Sequence, residues 1–182
     1  MSQETMAAGG AGVARLNALA VVPARQLLES CCGSKTWVAA MLAERPLANV
    51  IGLKSSARES FNRLTDADWK EAFKRHPRIG DVASLKAKFA TTATWASGEQ
   101  AGAASASEEI FKALNEGNEA YFKKHGFIFI VCATGKSAAE MLASLNARLP
   151  NDTEKELRIA AEEQMKITDL RLDKLLSDLL LA

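Results

Sequence analysis

The spacing of apolar residues along this chain is the feature that most limits how it can fold. Between residues 15 and 30, leucines and alanines recur three or four positions apart, which is the period of one face of an α-helix. The chain has 182 residues, 48% of them hydrophobic and 25% charged, as expected for one soluble domain with a sizeable core. We therefore predict an all-α, single-domain multi-helix bundle. The predicted helices cover 15–30, 35–44, 47–64, 65–76, 97–125, 135–149 and 154–180.

The segment FIFIVCA, residues 127–133, is the one stretch that does not follow the helical pattern. It is continuous, apolar and partly β-branched, so it suits either a buried strand or a buried extended connector. A lone strand would have no sheet to join. We therefore favour one short buried extended connector, entered after Gly126, which closes the preceding helix.

The two ends of the chain and its charge suggest a compartment and exclude several classes of partner. Residues 1–12 are rich in Gly and Ala, and we expect a disordered lead-in there and a helical domain over 13–182. No secretory signal and no apolar run of about 18 residues is present. The net charge is +1 without a long basic run, which argues against nucleic acid and membrane partners. Cytoplasm is the default location, with the peroxisome as an alternative, although the last residues do not form a peroxisomal tripeptide.

The cysteines and histidines argue against a metal site. Cys31 and Cys32 are adjacent and Cys132 is distant, so their number and spacing suit neither a disulfide framework nor a zinc site. We expect partly buried, reduced thiols. Motifs for nucleotide cofactors, serine nucleophiles and metalloproteases are absent. Any enzyme with this sequence would use a general acid or base and no cofactor or metal.

The stretch EAFKRHPRIGD contains the leading candidate for that chemistry, His76. Pro77 disfavours helix in the residue before it, so we place His76 at the C-terminal end of a helix that starts with a capping box at Thr65 and Asp68. Pro77 and Gly80 could hold the imidazole at the mouth of a cleft with little loss of entropy on binding. The alternative is a surface histidine that ends a helix.

Two more helices carry candidate polar groups. Ser97 and Gln100 have capping-box spacing, so Glu99 lies in the first turn of a helix, either as a functional group or as an ordinary helix-start acid. In the last helix, Gln164 and Arg171 follow Leu157 at seven-residue intervals on a packing face. Buried polar groups there need partners, and the alternative role for Arg171 is a salt bridge.

Three further residues are assigned structural roles by their place in the predicted helices. Thr153 and Glu156 also have capping-box spacing at the start of the last helix. His125, beside Gly126, is expected to be structural.

Five segments, in order, are similar to those of the OHCU decarboxylases of purine breakdown. They are LLESCCGSKTW, DWKEAFKRHPRIGD, WASGEQAGA, HGFIFIVCATGKSAAEML and EEQMKITDLRLDKLL. The resemblance implies a cofactor-independent carbon–carbon lyase that converts 2-oxo-4-hydroxy-4-carboxy-5-ureidoimidazoline to (S)-allantoin and carbon dioxide. It also implies a homodimer and functional coupling to a hydroxyisourate hydrolase. The last three segments resemble the decarboxylase module of plant allantoin synthase.

The resemblance assigns roles to residues of the matching motifs. It implies that His76 is the catalytic acid, that Glu99 is the catalytic glutamate, which holds either His76 or a substrate group, and that Arg171 is an active-site cation. Substrate contacts are implied for the following residues: Pro77, Gln100, and the backbone of Phe127, Ile128, Phe129, Ile130 and Val131.

One position departs from the family pattern. The family has a serine three residues before the glutamate, where this chain has Ala96, and Ser97 follows one place later. Either Ser97 supplies the hydroxyl after a local shift or that contact is lost.

The chemistry of these side chains suits a decarboxylase. Imidazole titrates near neutrality and can protonate the ring carbon on one face after carbon dioxide leaves. Gln100 can both donate to and accept from a ureide, and Arg171 can pair with an anionic group. Two alternatives stand beside this function: a non-catalytic α-helical interaction protein with a decayed site, and a decarboxylase of a related ureide.

Overall fold

The computed structural model describes residues 3–76 and 100–181, with side chains from residue 10 to 76 and from 108 to 181. Eight helices and no strand are found in these ranges, which confirms the all-α prediction. The helices are α1 (Gln3–Ala18), α2 (Val21–Cys31), α3 (Lys35–Ala43), α4 (Val50–Asn62), α5 (Asp66–Phe73), α6 (Gln100–His125), α7 (Ala138–Arg148) and α8 (Thr153–Leu181). None of the helices described is long and apolar enough to cross a membrane.

The chain divides into two compact units. The first unit comprises Met1–Arg75 and Ala161–Ala182, and the second comprises His76–Ala160. Within the first unit, Trp37 is fully buried, and its indole N–H donates to the carbonyl of Ala57 over 2.9 Å. This bond fixes the indole between α3 and α4, since a buried N–H without a partner would be destabilising.

Helix α1 begins at Gln3, inside the segment for which the sequence predicted a disordered lead-in. Gly12 is packed so closely against α8 that a Cβ there would lie 2.7 Å from the carbonyl oxygen of Leu176. The neighbouring Val13 is buried. The division into a lead-in over 1–12 and one domain over 13–182 stays a prediction.

The helix predicted over 15–30 is two helices in the structure, and that prediction is wrong at Leu19 and Ala20. Pro23 has no N–H to donate to the carbonyl of Leu19, so a continuous helix would leave that carbonyl without its partner. Arg45 supplies the missing donor, because its Nη2 bonds the carbonyls of both Asn17 and Leu19. Pro23 then lies in the first turn of α2, where its lack of an N–H costs nothing.

The segment after α6 is the predicted extended connector, and no strand forms there among the described residues. Gly126 has a φ of 76°, a left-handed conformation that favours glycine, and it ends α6 as predicted. Phe127 and Ile130 are buried, whereas the residues between and after them are half-buried. The side chains of two residues therefore anchor the connector, while its other residues are partly accessible.

The start of α8 differs from the prediction. The side chain of Asp152, rather than Thr153, caps the helix by accepting from the amide of Lys155 over 2.8 Å. Glu156 is fully buried and bonds elsewhere, so the capping box predicted for Thr153 and Glu156 is wrong. The capping box predicted for Thr65 and Asp68 at the start of α5 is confirmed.

Candidate active site

His76 follows α5, and its position depends on how that helix is fixed. Ala72 and Phe73 at the end of α5 are buried, and the amide of Arg75 donates to the carbonyl of Ala72 over 3.2 Å. His76 comes directly after this turn and is half-buried. The α-helix thus ends at Phe73, three residues earlier than the sequence predicted, and the intervening turn carries the chain to the histidine.

Two hydrogen bonds tie α5 to the start of α3. The Thr36 hydroxyl donates to Asp68 Oδ1 over 2.6 Å, and the amide of Lys35 donates to Glu71 Oε2 over 2.9 Å. The bond from Thr36, followed by those from Thr65, holds the pKa of Asp68 below its ordinary value. One carboxylate therefore both caps α5 and anchors it to α3, which restrains the segment that leads to His76.

Arg171 opens onto a cleft of about 560 Å³ within the first unit. Other charged residues of this cleft are paired. Arg75 lies 3.6 Å from Glu29, and Lys174 lies 2.8 Å from Asp178. These pairs neutralise most of the cleft's charge.

Arg171 itself has no carboxylate partner among the residues that the structure describes. Its Nη1 donates to the carbonyls of Ser30 and Cys31 over 3.4 and 3.3 Å, which are long, weak bonds. A guanidinium has five N–H donors arranged to bind a carboxylate in a two-point fashion. Arg171 is thus half-buried, held in place by backbone oxygens and left with donors for an anionic ligand.

Gln164 lies two turns before Arg171 on the same face of α8, and unlike Arg171 it has no access to solvent. It is fully buried, and its amide nitrogen lies 3.2 Å from the hydroxyl of Thr168. The hydroxyl of Thr168 donates in turn to the carbonyl of Gln164 over 3.0 Å. The expectation that Gln164 needs a partner is confirmed.

A buried polar cluster lies beside the connector in the second unit. We call Tyr121, Arg148 and Glu156 the buried triad. Glu156 Oε1 accepts from Arg148 Nε at 2.7 Å and from the Tyr121 hydroxyl at 2.5 Å. Glu156 Oε2 accepts from Asn151 over 2.8 Å. Both carboxylate oxygens are therefore bonded, as a buried charge requires.

The buried triad reaches the connector through Arg148. Its Nη1 donates to the carbonyl of Ile130 over 2.9 Å, and its guanidinium carbon lies 4.5 Å from the centre of the Phe129 ring. At the far end of the connector, Lys136 donates to the carbonyl of Cys132 over 2.8 Å. Among the described residues, no ladder of backbone bonds joins residues 128–131 to another segment, whereas the side chains of Arg148 and Lys136 bond two carbonyls of the connector.

The backbone groups of Ile128, Phe129 and Val131 make no hydrogen bond to another described residue. Buried or half-buried peptide groups are nearly always paired, with protein, water or ligand. These N–H and C=O groups are consequently available for a bound molecule that offers both donors and acceptors.

His125 has contacts that fit the structural role expected from its sequence position. Its ring is 4.5 Å from that of Tyr121, and Nδ1 lies 3.2 Å from the Thr153 hydroxyl. Burial lowers the pKa of His125, so the neutral imidazole is favoured.

The thiols are not bonded to each other, and burial raises the pKa of Cys31 and Cys32 to about 11. No group of three or more potential metal-ligating side chains occurs within the two described ranges.

The predicted catalytic residues fall in different parts of the structure. His76 belongs to the second unit, together with the connector, and Arg171 belongs to the first. Gln100 begins α6. Three predicted site residues lie outside the described residues: Pro77, Ser97 and Glu99.

Sequence reasoning missed the buried triad and the paired charges of the cleft. Tyr121 is the only tyrosine of the chain, and Arg148 precedes Glu156 by eight residues, but neither fact predicts a contact. The sequence singled out Glu156 only as a capping residue paired with Thr153, and not as a member of a buried cluster. Only the packing of α6, α7 and α8 brings these side chains together.

Comparison with known proteins places the chain in a family. Residues 17–173 match the family described as OHCU decarboxylase. The chain is 41% identical over 150 residues to the uric acid degradation bifunctional protein TTL of Arabidopsis thaliana, covering 81% of this chain but only 46% of the plant protein. It is 31% identical over 140 residues to a 2-oxo-4-hydroxy-4-carboxy-5-ureidoimidazoline decarboxylase of Amia calva, covering 76% of this chain and 78% of that protein.

A solved structure supports the same assignment. The crystal structure of an OHCU decarboxylase in the presence of (S)-allantoin superposes with a TM-score of 0.66 at 40% identity, covering 82% of this chain and 96% of that one. An (S)-allantoin synthase structure, 19% identical, shares the fold with a TM-score of 0.64 over 90% of this chain and 53% of that one. The resemblance noted in the sequence is confirmed, and the chain belongs to the OHCU decarboxylase family.

Proposed function

We propose that this chain is a cofactor-independent carboxy-lyase that converts 2-oxo-4-hydroxy-4-carboxy-5-ureidoimidazoline to (S)-allantoin during urate degradation. Membership of the family and the activity named for the Amia calva relative support this proposal. The observation that carries it is the guanidinium of Arg171, which faces a cleft and has no carboxylate partner in the described part of the chain. The substrate carries a carboxylate, which this group can bind.

The proposed reaction needs one proton and no external oxidant. The bond between the ring carbon and the carboxylate breaks, carbon dioxide leaves, and the electron pair passes into the ring system. His76 then protonates the ring carbon on one face, which sets the stereochemistry, and is reprotonated by water. Glu99 holds His76 or a substrate group in position in this scheme, and Ser97 stands in for the family serine.

Substrate recognition is divided between side chains and backbone in this proposal. Arg171 binds the anionic group, and Gln100 and Pro77 contact the ring or its ureide. The backbone of Phe127, Ile128, Phe129, Ile130 and Val131 bonds the ring and ureide groups. Support comes from Ile128, Phe129 and Val131, whose peptide groups have no partner among the described residues.

The decisive experiment follows (S)-allantoin by circular dichroism after the substrate is generated fresh in the cuvette. Wild-type protein should accelerate its appearance over buffer, and H76N should remove the acceleration while far-UV circular dichroism stays unchanged. If wild-type protein gives no acceleration, the chain is better described as the non-catalytic interaction protein. Acceleration only with another ureide in a substrate panel would favour the related-decarboxylase alternative.

The proposal extends to the assembly and the location of the chain. We propose a homodimer, measurable by light scattering, and functional coupling to a hydroxyisourate hydrolase, which supplies the substrate. The bifunctional name of the Arabidopsis thaliana relative supports the coupling. A cytoplasmic location, with the peroxisome as the alternative, is tested by imaging a fluorescent fusion.

A further inference from the structure

We infer that Arg148 and Glu156 are positioning residues, which hold the backbone of the connector in the shape that binds the ring and ureide groups of the substrate. This inference rests on the proposed function, because it assigns a task within that same site. It concerns the residues behind the connector rather than the connector itself.

The connector needs such support because it has no secondary structure of its own. It is neither helix nor strand, and no backbone–backbone hydrogen bond joins residues 128–131 to another described segment. A chain without backbone bonds samples many conformations unless its side chains or carbonyls are fixed. Arg148 fixes it in the middle, at the carbonyl of Ile130, and lies against the neighbouring ring of Phe129.

Glu156 fixes Arg148 in turn. The carboxylate is fully buried, and its Oε1 accepts a hydrogen bond from Nε of the guanidinium at 2.7 Å and forms an ion pair with Nη2 at 2.5 Å. The two contacts on one edge set the plane of the guanidinium, so Nη1 points at the Ile130 carbonyl with little freedom. The Tyr121 hydroxyl also donates to Oε1, the oxygen that contacts Arg148, whereas Asn151 donates to the other oxygen, Oε2.

Substrate binding depends on which peptide groups of the connector are already hydrogen-bonded within the protein. The carbonyl of Ile130 is occupied by Arg148, whereas the peptide groups of Ile128, Phe129 and Val131 are not used by described residues. Fixing one carbonyl in the middle of the connector sets the directions of the groups on both sides. A pre-arranged set of donors and acceptors binds a ureide without paying to order the chain.

The test compares R148K with N151A. Lysine keeps a cation for Glu156, but its one nitrogen cannot reproduce the guanidinium contacts to both Glu156 and the Ile130 carbonyl. N151A removes another hydrogen bond from the same carboxylate and leaves Arg148 on the connector, so it is the matched control. Both variants should lower the melting temperature.

Only R148K should weaken binding. We expect its KM to rise about tenfold with kcat nearly unchanged, the effect of one lost charged hydrogen bond. In hydrogen–deuterium exchange, (S)-allantoin should protect the amides of residues 127–131, and R148K should need about tenfold more allantoin for half protection. N151A should match wild type in both measurements.

The outcomes separate this inference from the function on which it rests. Wild-type protein that does not accelerate allantoin formation overturns the proposed function and the inference with it. An active wild type with a wild-type KM and wild-type protection in R148K overturns the inference alone, and so does an equal loss in N151A. If R148K does not fold, the double variant R148Q/E156Q, which removes both buried charges together, replaces it with the same expected results.

Discussion

The backbone of Gly33 lies directly against the side chain of Arg75. A Cβ at position 33 would stand 2.2 Å from Cγ and 2.8 Å from Cβ of Arg75, so no larger residue fits without a shift. Arg75 lines the cleft that contains Arg171 and directly precedes His76 in the chain. The side chain of Arg75 can therefore take its observed position only because residue 33 has no side chain.

The variant G33A should lower the free energy of unfolding by about 1–3 kcal/mol, because the atoms it meets are near the backbone and cannot move cheaply. G52A is the control: apart from its chain neighbours and its own helix backbone, the nearest atom to its Cβ would be Asn49 Oδ1 at 3.7 Å, and alanine in the first turn of α4 should stabilise by about 0.5–1 kcal/mol. Chemical denaturation measures both. Equal stability of G33A and wild type would contradict the close packing.

Arg171→Gln should lower kcat/KM by about 10- to 100-fold if its guanidinium binds the substrate's anionic group. Lys174 lines the same cleft but is paired with Asp178 and largely exposed, so K174Q should cost less than about threefold. Initial rates of allantoin formation for the two variants provide the comparison. Similar losses in both would mean that general electrostatics, and not a specific contact, governs binding.

Glu156→Gln should destabilise the protein by about 3–5 kcal/mol, since it leaves the buried cation of Arg148 without its counter-charge. Glu154, two residues earlier on α8, pairs with Arg158 over 2.9 Å, but their side chains are 78% and 70% exposed. E154Q should therefore change the unfolding free energy by less than about 1 kcal/mol. Urea denaturation gives the free energy of unfolding of both variants. A loss of stability in E156Q as small as that in E154Q would contradict this prediction.

Asp68 should contribute to the loss of stability in acid. Its pKa is lowered in the folded state, first by the Thr36 hydroxyl and then by Thr65, from an ordinary value of 3.8. Its contribution is present above that value and is lost as the pH falls through the lowered pKa. D68N should flatten the dependence of unfolding free energy on pH below about pH 4. An unchanged acid slope in D68N would assign the effect to other carboxylates.

Cys31 and Cys32 should resist alkylation in the native protein. Burial raises their pKa to about 11, so at about pH 8 roughly one thiol in a thousand is ionised. We expect iodoacetamide to modify at most one cysteine, Cys132, in native protein and all three in urea. Peptide mass spectrometry after a short pulse identifies the sites. Rapid labelling of Cys31 or Cys32 under native conditions would show that this part of the first unit opens readily.

The parts of the fold that depend on neighbours in sequence were predictable. The capping box at Thr65 and Asp68 and the end of α6 at Gly126 follow from local backbone chemistry. The break before Pro23 was missed although proline marks it, because the helical spacing of the leucines continues across the break. The carbonyl freed there is bonded by Arg45, a partner that the sequence does not reveal.

In the candidate site, too, the sequence predicted the local features but not the tertiary contacts. The family motifs single out His76 and Arg171, but which cations of the cleft are already neutralised depends on tertiary contacts such as that between Arg75 and Glu29. Glu156 had the spacing of a capping residue and serves instead as the centre of a buried cluster. Local spacing could not decide this, since it carries no information on what packs above the first turn of a helix.

Tyr121, the only tyrosine of the chain, is a spectroscopic probe of the buried triad. Burial and the bond to Glu156 raise the pKa of Tyr121 well above its ordinary value, so the ring can lose its proton only where the surrounding packing has opened. Alkaline absorbance of the tyrosinate can therefore report when the packing around this cluster opens, in an unmodified sample.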